Sequence, residues 1–194
     1  RRFLEQDRLF LEDFGRALAL AAARAAASGD VRLLCGLASE ALDVERELHE
    51  RLGGALGIRD GGGAVASPTC LAYGSFLVRA AAVGGPGDAV AALAPCYLMF
   101  REVGGRLAAQ GSPDPLYADW IGTYDGRAFA AATARYEAAC ERVIEGLAPR
   151  ERASALAHAL TAARYEWMFW ESALTGERWP GPALTSDSPD RTCA

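Results

Sequence analysis

The sequence predicts an all-α protein: a single compact multi-helix bundle. Three observations carry this. Alternating Val/Ile/Thr runs are nearly absent, while Ala, Leu, Glu and Arg dominate. Gly and Pro fall in clusters that cut the chain into long blocks. Within those blocks apolar residues recur at helical spacing.

Taken in order, the first helix is predicted over residues 2–27, closing at Ser28-Gly29-Asp30. Asp30 is the expected N-cap of a second helix over 31–56, because its carboxylate can accept the free N–H groups of a first turn. Gly61-Gly62-Gly63 and Ser67-Pro68 form a loop. Pro68 suits the first position of a third helix, to Val83. After Gly84-Gly85-Pro86-Gly87, Asp88 is the expected cap of a fourth helix, to Gln110. A short fifth follows over 115–124, a sixth over 126–147, and Pro149 opens a seventh to about Leu174. One helical domain over 1–179 is expected, with a loose Pro/Ser/Thr/Asp-rich tail over 180–194.

With 194 residues, the chain can bury one sizeable core. Its net charge of −5 shows no basic block, which argues against a nucleic-acid surface. The longest apolar run, 17–27, is broken by Arg24 and is too short for a membrane span. Five irregularly spaced cysteines without a CxxC argue against a disulfide framework and for reduced thiols in a cytoplasm. The chain opens at Arg1-Arg2-Phe3 as if inside a helix, so a preceding segment is expected.

Reactive side chains on apolar faces point to chemistry. Phe3, Asp7, Phe10 and Phe14 share one stripe, in which Asp7 is the odd member. Ala89, Ala92, Leu93, Cys96, Phe100 and Val103 form a second stripe, with a thiol. Ala159, Ala162, Ala163, Glu166, Phe169, Trp170 and Ala173 form a third, with a carboxyl among aromatics. A buried acid must be paired or change its pKa. A thiol and carboxyls converging in a bundle suit nucleophilic catalysis with proton transfer, although by pattern alone a lone thiol on such a face is more often an ordinary core residue and a lone acid more often a structural acceptor.

Five strings in order add a resemblance: Gln6-Asp7 through Phe10-Leu11, Ser67-Pro68-Thr69 with Tyr73, Leu93-Ala94-Pro95-Cys96-Tyr97, Trp120-Ile121-Gly122-Thr123-Tyr124, and Tyr165-Glu166 through Phe169-Trp170. Together they resemble the TenA/thiaminase II family. The resemblance implies a haem-oxygenase-like fold, a homotetramer, no cofactor, and an aminopyrimidine hydrolase of thiamin salvage that releases hydroxymethylpyrimidine. It implies Cys96 as nucleophile, Glu166 as general acid/base, and Asp7 as acceptor for the ring's amino group and nitrogen. Phe10, Tyr73, Phe100, Tyr124 and Trp170 are the implied pocket residues. Phe100 stands where family hydrolases commonly carry Tyr, which keeps a specialised binder as the alternative. A helix that precedes the Gln-Asp segment in the family has no counterpart here. Glu45 and His49 are four apart, but His158 lacks an acid three residues before it, so no metal site is expected and a metal-dependent oxidase is the weakest reading.

Overall fold

The computed structural model describes residues 1–58 and 64–181, without the side chains of 44–46 and 48–50. Its elements are α1 (Arg2–Arg24), α2 (Ser28–Leu48), a π-helical turn (His49–Gly53), α3 (Gly54–Leu56, a single turn), α4 (Pro68–Val83), α5 (Pro86–Gln110), α6 (Pro115–Asp125), α7 (Arg127–Glu145) and α8 (Pro149–Thr175). Among the described residues there are seven long helices and no strand. The expected loop at Gly61–Gly63 and the tail beyond 181 lie outside the described residues.

The helix starts follow capping chemistry. Ser67 Oγ accepts the backbone N–H of Cys70 at 3.2 Å, with Pro68 in the first turn of α4. Asp114 does the same for α6, accepting from Leu116 at 2.9 Å. At α5 and α8 the third helical residue reaches back: Asp88 accepts from Gly85 N–H (2.8 Å) and Glu151 from Ala148 N–H (2.9 Å). Asp88 therefore lies inside α5, and the helix begins three residues earlier than the sequence suggests. Likewise α1 stops at Arg24, where Ala25 turns extended, and the Arg24 guanidinium donates to the Ala81 carbonyl at 2.7 Å. Asp30 is not a cap: it sits in the first turn of α2 and pairs with Arg142 of α7 at 2.6 Å.

Packing follows the predicted stripes. α5 lies against α8, α7, α6 and α4, and α1 against α2 and α4. Phe10, Phe14 and Leu18 of α1, Tyr73 and Leu77 of α4, Leu93 of α5 and Phe169 of α8 are buried in one continuous core. Each such side chain contributes on the order of 1.5–3 kcal/mol. Two glycines let helices approach closely. A Cβ on Gly74 would lie 3.0 Å from Asp13 Cβ of α1, and one on Gly104 of α5 would lie 2.9 Å from Tyr124 Cβ and 3.0 Å from its carbonyl carbon on α6. These contacts set the depth at which Tyr73 and Tyr124 enter the interior.

Candidate active site

The three odd members of the apolar stripes converge. Asp7 (2% exposed), Cys96 (8%) and Glu166 (1%) come from α1, α5 and α8. Tyr73, also buried, joins them from α4 and donates its hydroxyl to Glu166 Oε1 at 2.7 Å. The Cys96 thiol lies near enough to the same carboxyl for each to act on the other's protonation. Pro95, just before Cys96, has no N–H, so the Ala91 carbonyl one turn earlier loses its helical donor at this point.

Burial sets the electrostatics. Loss of water raises the Glu166 pKa from 4.5 to about 7, against the opposing donors Tyr73, Cys96 and Trp170. The Trp170 indole N–H is turned toward the carboxyl without reaching hydrogen-bond geometry with any acceptor. Burial likewise pushes the Cys96 thiol well up, reinforced by the charges of Glu166 and Asp7. The resting sulfur is therefore a thiol whose immediate neighbour is a carboxyl poised near neutral pH. Tyr73 and Tyr124 are held firmly protonated, first by burial and then by the neighbouring acids.

A cavity of about 600 Å³ reaches this cluster. Asp7, Phe10, Cys96, Phe100 and Tyr124 line its inner end, with Phe14, Tyr97 and Phe129 completing apolar walls. Phe100 packs on Tyr124 with ring centroids 4.7 Å apart. Glu166, Tyr73 and Trp170 do not line the cavity. Glu166 and Tyr73 stand behind Cys96, and Trp170 stacks on Phe3 at 4.7 Å. Tyr73 is itself stacked between Phe10 (4.7 Å) and Tyr165 (5.5 Å).

The outer end is absent from the sequence reading. Glu40, Asp43 and Glu47 of α2 line it with Arg51, Asp119 and Thr123. Arg51 pairs with Asp119 at 2.9 Å and Glu40 with Arg135 at 2.8 Å. The spacing of 40, 43 and 47 puts the three acids on one helical face. In sequence that pattern reads as a solvated face, and only the opposing α6 turns it into a rim.

A model of the family described as TENA/THI-4/PQQC matches residues 1–176. The chain belongs to this family. It is 30% identical over 181 residues to an aminopyrimidine aminohydrolase of Halalkalibacterium halodurans, covering 91% of this chain and 81% of that one. It is 32% identical over 177 residues to the thiamine biosynthesis multifunctional protein ThiED of Corynebacterium efficiens, covering 91% of this chain but 24% of that protein. The chain thus spans about a quarter of the multifunctional relative it matches. Among solved structures, a TenA family transcription regulator from Silicibacter sp. superposes with a TM-score of 0.82 at 31% identity, covering 90% of this chain and 80% of the other. The predicted all-helical fold of the TenA kind is the observed one.

Among the described residues, no group of three or more His, Cys, Asp or Glu side chains is placed to hold a metal ion. Glu45 and His49 lie outside the described side chains. No helix of the described residues is long and apolar enough to cross a membrane.

Proposed function

We propose that this chain hydrolyses the C–N bond at the exocyclic methylene of an aminopyrimidine, with Cys96 as nucleophile and Glu166 as general acid/base. The observation that carries the reading is the Glu166 carboxyl, raised to near neutral pKa by burial, bonded by the Tyr73 hydroxyl and standing directly behind Cys96, which lines the inner end of a mostly apolar cavity. A base is most effective when its pKa lies near the working pH. The likeness to the aminopyrimidine aminohydrolase of Halalkalibacterium halodurans supports the same reaction class.

The atoms balance as follows. Cys96 sulfur bonds to a ring carbon while its proton passes to Glu166, and ring aromaticity is broken. As the bonded sulfur shifts off the carboxyl, Glu166 returns the proton to the leaving nitrogen and the C–N bond breaks. Water adds to the methylene and gives a proton to Glu166. The sulfur departs, aromaticity returns, and Cys96 regains its proton. Amine plus water becomes alcohol plus ammonia. Asp7 on the cavity wall accepts from the ring's amino group, and Phe10, Phe100 and Tyr124 form flat walls suited to a heteroaromatic ring.

Four free thiols among the described residues support a reducing cytoplasm. The exposed apolar positions Leu156, Leu160 and Trp167 of α8 support self-assembly, with a tetramer as the family likeness implies. Phe100 favours one second reading, a binder of the same ligand class without turnover. The test is incubation with 4-amino-5-aminomethyl-2-methylpyrimidine, and separately with thiamin, followed by mass detection of hydroxymethylpyrimidine. Product that disappears in Cys96→Ala is expected. Full activity in that variant refutes the nucleophile, and binding without product in the folded parent selects the second reading.

A further inference from the structure

The chain beyond α8 turns back onto the helix that carries Tyr73. Gly176 has a φ of 70°, and both Gly176 N–H and Glu177 N–H bond to the Ser172 carbonyl (2.9 and 3.0 Å). This turn favours glycine, since its φ of 70° lies in the left-handed region that L side chains rarely adopt. It delivers the Glu177 carboxylate to the first turn of α4. There Oε2 accepts from Thr69 N–H and Oε1 accepts from the Thr69 hydroxyl, each at 2.9 Å. An acid in this position satisfies a free donor and meets the positive end of the helix dipole.

Thr69 and Tyr73 are four residues apart, on one face of α4. The same face therefore meets α8 through Tyr73 and Glu166, and the extension of α8 through Thr69 and Glu177. Phe76, one turn further, stacks against Tyr165 and His158 of α8. The two helices run antiparallel, and Glu177 ties the open end of the pair. Gln6 and Trp179 bind the approach to α4, at Val65, Ala66 and Ser67, and the Gln6 carbonyl also accepts from the Cys70 thiol of α4 at 3.4 Å, whereas Glu177 alone of the three holds the Thr69 N–H and hydroxyl.

We propose that Glu177 is a positioning residue: by holding the first turn of α4 against the end of α8, it sets the reach of the Tyr73 hydroxyl to Glu166. The inference rests on Glu166 being the general acid/base. The Tyr73 donor opposes the burial that raises the Glu166 pKa, so loosening it raises that pKa further. The other groups acting on the carboxyl are Cys96 from α5, Tyr124 from α6 and Trp170 on α8 itself, and the Asp7 charge from α1 acts on Cys96 and Tyr124 alongside it.

The experiment is a carbon-13 NMR titration of the Glu166 carboxyl in the full chain, for the parent, Glu177→Ala, Glu177→Gln and Tyr73→Phe, beside kcat and KM against pH. Glu177→Ala is expected to raise the Glu166 pKa by at least about half a unit, in the same direction as Tyr73→Phe. It is also expected to lower kcat about 10-fold with KM held within about 2-fold. Glu177→Gln, which keeps an acceptor, is expected to fall between parent and Ala. An unmoved Glu166 titration in folded Glu177→Ala or Glu177→Gln overturns the proposal, even if melting temperature or kcat falls. The titration needs no turnover, so an inactive parent overturns the proposed function without deciding the positioning role.

Discussion

Replacing Glu166 by Gln should stabilise the folded protein while abolishing its chemistry, and the size of the gain follows from the site. The carboxyl is 1% exposed, and burial raises its pKa from 4.5 to about 7. Between those values the native protein keeps a proton that the unfolded chain has released. Its contribution is fully present below about pH 4.5 and is lost as the pH rises through about 7. A rise of about 2.5 units, at about 1.4 kcal/mol per unit, amounts to about 3 kcal/mol. The amide carries no charge, and its carbonyl can still accept from Tyr73. The melting temperature of Glu166→Gln should therefore gain on the parent by about 6–12 °C between pH 4.5 and pH 8, since each kcal/mol moves a chain of this size by roughly 2–4 °C. Paired thermal melts across that range measure it, because the titrations common to both proteins cancel in the difference. A gap that stays constant with pH would refute the claim that this carboxyl resists ionisation. Turnover should meanwhile drop about 100- to 10,000-fold.

Two further substitutions test how the site is built. Phe100→Tyr restores a hydroxyl on a buried ring that lines the cavity beside Cys96; kcat/KM is expected to rise at least about 5-fold, as one added hydrogen bond of about 1 kcal/mol implies, and an unchanged value assigns the ring a wall role only. Gly104→Ala places a methyl 2.9–3.1 Å from Tyr124 Cβ and backbone, so α5 and α6 must separate. It should cost about 1–3 kcal/mol in denaturant melts and raise KM through a displaced Tyr124, whereas parent-like stability would show that the α5–α6 contact is slack.

Short-range chemistry is what the sequence states directly. Ser67, Asp114 and the prolines at 68, 115 and 149 mark helix starts because capping involves only a few neighbouring residues. Asp7, Cys96 and Glu166 were legible because a polar group on an apolar stripe breaks a pattern confined to one helix. Where such local signals compete, the partner decides: Asp30 gave up a cap for Arg142, 112 residues away. That Tyr73 reaches Glu166 across 93 residues could not be read from either helix alone. Helix periodicity says which face is buried, not which other face it meets or at what depth. The close approaches at Gly74 and Gly104 settle the depth for Tyr73 and Tyr124. The acidic rim shows the same division, since Glu40, Asp43 and Glu47 look like a solvated face until α6 stands opposite them. The sequence alone determined the helices and their odd members. The tertiary structure decided which side chains meet them, as Tyr73 meets Glu166, because a hydrogen bond depends on distances of about 3 Å that only packing sets.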